Sequence, residues 1–243
     1  MNRNESFDVL STSAIELSLA WASLEVMIDD VEQIQVMIAG SDEDMESVKI
    51  ACEEGHLKVE QPTVSLPRVN ISRWMQVMLR IPTAWKGAVS AATVSGAITA
   101  RSLVGTDLKL ETVTGVLRAF DLEGLTVALH TVTADLQAEQ ITAPKLNLRT
   151  VSGDMHVSGS SIQSIRSSSV TGALTLDLAD AYDQLDATTV SGNIVVNAPV
   201  DVANVSLRAV SGRLRTDGVS LNDGGAVVSV TSVSGDLTLN RTL

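Results

Sequence analysis

The sequence predicts an all-β protein: a parallel β-helix (solenoid) of about eight coils of 19–20 residues, preceded by an antiparallel β region capping its start. Three observations carry this. A Val-Ser/Thr-Gly triplet recurs with glycines at Gly96, Gly115, Gly153, Gly172, Gly192, Gly212 and Gly235, and Ala134 fills the one gap; the steps are 19, 19, 19, 19, 20, 20 and 23 residues. Apolar residues stand at fixed offsets from each triplet and alternate with polar ones. Val, Thr and Ile, all strand formers, supply about a quarter of the 243 residues.

Residues 1–92 lack the period but still alternate, with strands expected over 15–19, 24–28, 34–38, 48–50, 57–59 and 75–81. Glu53-Glu54-Gly55-His56 reads as a hairpin connection, residues 61–73 with Pro62 and Pro67 as a loop, and Pro82 as the end of the last strand. The acidic run 42–46 lacks the glycine and terminal glutamate of a calcium loop and reads as a solvated loop. Cys52 shares parity with Val48 and Ile50 and reads as a buried core residue; as the only cysteine it excludes an intramolecular disulfide.

Residues 93–243 form the repeat domain. Two residues after each Gly or Ala stand Ile98, Leu117, Leu136, Met155, Leu174, Ile194, Leu214 and Leu237, and a second apolar column follows two residues later. A strand before each triplet carries pairs such as Leu108/Leu110, Val127/Leu129 and Val228/Val230. Buried parity is expected to pass from even at Leu110 to odd at Val113, which puts a corner near the Thr-Val step. Hairpin signals between the strands are nearly absent, so the coils stack in parallel; one coil cannot bury its own apolar face, but a stack can.

The phrases Leu79-Arg80-Ile81-Pro82 and Ala91-Ala92-Thr93-Val94-Ser95-Gly96-Ala97-Ile98, and the Val-Ser-Gly-Asp runs from Val151 and Val233, resemble the bacterial "putative adhesin" family of β-helical domains. The resemblance spans nearly the whole chain. It implies an N-terminal β region followed by a parallel β-helix, brings no established chemistry, and its adhesin label implies a cell-surface setting.

Composition narrows the function. A net charge of -12 disfavours nucleic acid and polybasic membrane-surface binding. Aromatics are 2% of the chain, so stacking platforms are scarce. The first residues carry no apolar signal region and no 18-residue apolar run follows, so a cytoplasmic protein without a membrane span is expected. The three histidines, His56, His130 and His156, form no local metal motif, and no metal or cofactor is expected.

Two outward columns bear chemistry. Glu111, His130, Arg149 and Ser168 would form a charged ladder of cross-strand pairs. Asp135 and Asp154 fall on neighbouring coils near the outward His156, a pairing of carboxylates that β-helical lyases and hydrolases use. At the C-terminus, Leu237, Leu239 and Leu243 would form an open edge able to pair two copies into a homodimer. The leading functional expectation is a non-enzymatic structural or interaction module, a rigid scaffold for protein partners or self-association. A surface adhesin binding glycan or host ligand, with Trp21, Trp74 and Trp85 as its aromatics, is the alternative; a carbohydrate-active enzyme using Asp135 and Asp154 is third.

Overall fold

The computed structural model describes residues 2–61 and 74–242. Its fold is all-β and mostly parallel. The strands Ile98–Thr114 and Leu117–Thr133 each run 17 residues around a turn of the solenoid and pair in parallel from Leu117↔Ile98 to Thr133↔Thr114. Later turns break into shorter strands at the corners, such as Met155–Ser160 and Ser164–Thr171. The alternation seen in the sequence sets which side chains point in. Ile98, Leu117, Leu136, Met155, Leu174, Ile194 and Leu237 form one buried column, and Leu108, Val127, Leu146, Ile165, Leu185 and Val228 another. Together they make a continuous core along the axis.

The corner differs from the sequence expectation. Inward parity continues past Leu110 to Thr112, and Val113 points outward. The equivalents Thr93, Thr131, Thr150, Ser169, Thr189 and Ser232 are buried as well. In the first coils hydroxyls explain the preference, because they donate to carbonyls at this corner, whereas those of Ser169, Thr189 and Ser232 have no partner among the described residues. Thr93 Oγ1 donates to the Ala22 carbonyl (3.1 Å), Thr112 Oγ1 to the Gly96 carbonyl (3.2 Å) and Thr131 Oγ1 to the Ala134 carbonyl (3.0 Å). A glycine then closes the corner. At Gly172, φ is +126° and an added Cβ would fall 2.1 Å from the Gly153 carbonyl oxygen, so the backbones of successive coils touch there.

The N-terminal region is mixed rather than antiparallel. Ala14–Leu19 lies parallel between His56–Glu60 and Ala88–Ser95, and Ser23–Asp29 lies parallel between Met75–Pro82 and Ile98–Thr114. Residues 14–29 thus extend the stack, with Ala22 in the glycine column. Among the described residues, antiparallel pairing is confined to Ile34–Gly40 with Met75–Pro82 and Asn2–Phe7, and to the hairpin of Lys49–Glu53 with His56–Glu60 across Glu54 and Gly55. The loop expected over 61–73 lies outside the described residues from 62 onward. The acidic run is a short helix, Asp42–Ser47, instead of a loop. Ser41 accepts from the Asp44 backbone N–H and donates its hydroxyl to the Asp44 carboxylate, and three acids fill the first turn, where the helix dipole favours them. Cys52 is exposed, not buried, because among the described residues Lys49–Glu53 pairs only with His56–Glu60.

The C-terminal coils are out of sequence order. Gln184–Ser191 pairs with Ala226–Ser234, whose other edge takes Val202–Ser211. Likewise Ile194–Ala198 pairs with Leu237–Arg241, which pairs with Leu214–Asp217. The chain skips one slot, builds the outermost coil from 202–217, and returns through 218–225 to fill the gap. The core letters explain the choice. Residues 226–241 offer Val228, Val230, Leu237 and Leu239 to a dry slot, whereas 202–217 brings Thr216 to a core position and exposed Arg208, Arg213 and Arg215 beside it. The weaker coil takes the half-wet end.

Candidate functional site

Turning Thr inward turns the triplet valine outward in every coil. In spatial order the row reads Val94, Val113, Val132, Val151, Val170, Val190, Val233 and Val210, set by the pairings of the flanking residues. Val132 is part-buried, and exposure of the other seven runs from 38% at Val113 to 85% at Val210. With a strand spacing of about 4.8 Å the row is roughly 34 Å long. Beside it runs a column of hydroxyls that staple coils together: Thr114, Thr133 and Thr171 donate to the carbonyls of Val94, Val113 and Val151. The residues were visible in the sequence; their outward direction was not, since the corner interrupts the alternation between Leu110 and Leu117.

The paired carboxylates are neighbours, as their register requires, but they bond backbone. Asp135 Oδ1 accepts the Asp154 N–H (3.0 Å) and Asp154 Oδ1 accepts the Ala173 N–H (2.8 Å). Asn193 and Asp236 repeat the pattern toward the end of the stack, Asn193 Oδ1 accepting from Asp236 N and Asp236 Oδ1 from Arg213 N. This column caps the corner amides of the next coil. His156 is outward and exposed, and its ion-pair partner is Asp177 (3.4 Å) rather than either aspartate. Asp177 in turn accepts from Asn197, and Asn197 from Asn240, in a ladder of amides.

The charged ladder is present. His130 Nδ1 stands 2.8 Å from Glu111 Oε1, and Lys109 pairs with the other Glu111 oxygen at 3.0 Å. Desolvation pushes the Glu111 carboxyl up, but the hydrogen bonds from His130 and Lys109 outweigh it and hold it below 4.5. Arg149 lies opposite both His130 and Ser168.

The C-terminal edge is elsewhere than expected. Leu237 and Leu239 are 0% and 2% exposed, enclosed between the coils of 184–198 and 202–217, so they offer no edge to a second copy. Leu243 lies outside the described residues. The open edge belongs to 202–217, where Val205, Leu207 and Leu214 are only partly buried. Of the three tryptophans, Trp85 is buried and donates Nε1–H to the Thr12 carbonyl (2.6 Å). Trp21 and the exposed Trp74 line one groove of about 510 Å³ with Ser23, Gln76 and Ser95. Among the described residues no group of three or more His, Cys, Asp or Glu side chains could hold a metal, and no helix is long and apolar enough to cross a membrane.

A stacked core, corner glycines and outward ladders define a β-solenoid repeat protein. The model of the Toastrack DUF4097 family matches residues 12–242, and the chain belongs to that family. Its fold is similar to that of solved structures at low identity. One, described as a putative adhesin from Bacteroides fragilis, is 13% identical with a TM-score of 0.64, covering 99% of this chain and 97% of its own. A putative adhesin from Parabacteroides distasonis is 13% identical with a TM-score of 0.62, covering 98% and 97%. A protein from the same species described as a putative lipid binding protein is 12% identical with a TM-score of 0.58, covering 98% and 96%. The comparison with curated proteins returns no match.

Proposed function

We propose that the protein is a non-enzymatic interaction module, a rigid β-helical scaffold whose outward valine row receives a protein partner. The valine row carries this reading. A β-branched residue suits the extended backbone at the corner, but threonine would serve as well and stay wet. Instead seven of the eight repeats leave an exposed valine in water and Val132, part-buried, continues the line, and a contiguous exposed apolar surface marks a binding site. The polar columns, by contrast, are engaged in joining coils. A second copy could add at the open edge of 202–217, so end-to-end self-association belongs to the same proposal.

The test is position-dependent photo-crosslinking in the native host. A crosslinking residue at Val151 or Val170 should trap one discrete protein species. The same residue at Leu125, apolar and more exposed than either but off the row, should not. Equal trapping from all three positions would refute the reading. Cell fractionation goes with it: the cytoplasmic setting expected above predicts recovery in the soluble interior, and recovery at the surface favours the adhesin alternative.

That alternative, glycan binding, is favoured by one observation: two indoles share the groove at Trp21 and Trp74, and aromatic faces are what sugar rings stack on. A glycan array with wild type and Trp74→Ala checks it; hits that vanish in the variant would support it.

A further inference from the structure

We propose that the depression over Arg149 and Arg166 binds an oxyanion, a phosphate or sulfate group, either free or as a headgroup. The depression measures about 370 Å³, and its walls include Asn147, Arg149, Arg166, Ser168 and His130. Parallel register sets the groups together: Asn147 is opposite Arg166, Arg149 opposite Ser168, and His130 opposite Arg149 on the next strand. Three strands at about 4.8 Å spacing put all five within roughly 10 Å.

The chemistry of the lining is that of donors. Two guanidinium forks match the oxygens of a tetrahedral anion, and the Asn147 amide and Ser168 hydroxyl add neutral donors between them. Among the described residues, one cation is unpaired and the other only loosely paired. Arg149 is in no ion pair among the described residues, and Arg166 meets its nearest carboxylate, Asp186, at 4.0 Å, the outer limit of an ion pair. Glu111, the acid at the other rim, is held by His130 and Lys109. In a chain of net charge -12 with 17 Lys and Arg, two guanidiniums facing one depression whose lining holds no carboxylate are a local reversal of sign. Such a reversal attracts small anions against the field of the whole molecule.

The test titrates inorganic phosphate into wild type, the double variant Arg149→Gln/Arg166→Gln, and the control Arg101→Gln, whose guanidinium sits over Phe120 instead. Both variants change only surface side chains, and thermal melts verify that all three proteins fold alike. Wild type and control should bind saturably, and the double variant at least about tenfold more weakly. A second arm measures co-sedimentation with phosphatidylcholine vesicles with and without phosphatidic acid. Arginine-dependent binding to the acidic vesicles assigns the anion to a lipid headgroup; arginine-dependent phosphate binding without vesicle binding assigns it to a free anion or small ester. Phosphate and vesicle binding that are absent, or equal in all three proteins, overturn the proposal.

Discussion

Exchanging leucine for alanine at two stacked positions distinguishes the observed coil order from the order of the sequence. Leu237 is fully buried between Ile194 and Leu214, while Leu214 has Leu237 on one side and is only partly buried. Leu→Ala removes a little over 2 kcal/mol of transfer free energy, at about 0.8 kcal/mol per methylene. In the enclosed slot the cavity term adds to it, so Leu237→Ala should cost about 3–5 kcal/mol. At the open coil water refills the space and part of the side chain was already wet, so Leu214→Ala should cost about 1 kcal/mol. Urea denaturation followed by far-UV circular dichroism reads both. Coils stacked in sequence order would enclose Leu214 and leave Leu237 at the end, so the costs would exchange. A Leu214→Ala cost equal to or above that of Leu237→Ala refutes the arrangement.

The inward hydroxyls give a second contrast. Thr131 Oγ1 bonds the Ala134 carbonyl and Thr150 Oγ1, whereas the buried Thr189 hydroxyl has no partner among the described residues; Thr131→Val should cost about 1–2 kcal/mol in urea denaturation, and Thr189→Val should be neutral or stabilising. Gly172→Ala should lose more than about 2 kcal/mol, since the new Cβ meets backbone that cannot move aside and φ is positive; an unchanged melting temperature would contradict the close stacking. Glu111, its carboxyl held below 4.5, stabilises the fold above that pH and loses the contribution as pH falls through its lowered value. Glu111→Gln should therefore flatten the acid limb of the stability profile below pH 4.5, and identical limbs would remove the ladder's role.

The solenoid was legible because its period is short and its core is aliphatic. Ile98, Leu117 and Leu136 point inward in the structure for the reason they repeat in the sequence: each covers the next. The hairpin at Glu54-Gly55 was legible from its turn chemistry, with both residues at positive φ. Direction at the corner was not, because alternation is interrupted there and hydrogen-bonding demand, not hydrophobicity, decides between Thr112 and Val113. Coil order was hidden for a related reason. The 202–217 and 226–241 repeats share Ala203/Ala226, Val205/Val228 and Leu214/Leu237 at paired positions, and the pattern of one coil does not say which neighbour it meets. One sign was present: the last step between glycines is 23 residues instead of 19 or 20, room for the return segment with Gly224 and Gly225. The short helix had its signal as well, in Ser41 three residues before Asp44. The roles of Asp135 and Asp154 were out of reach, since a carboxylate that caps a backbone amide and one that does chemistry look alike in one sequence.

The most direct measurement of the central claim, that the valine row is a binding surface, is partner binding by the triple variant Val151→Lys/Val170→Lys/Val190→Lys. These side chains lie outside the core, so the melting transition should stay within a few degrees of wild type. The partner trapped from Val151 and Val170 in the native host should no longer be bound by this folded variant. Undiminished binding by the triple variant would contradict it.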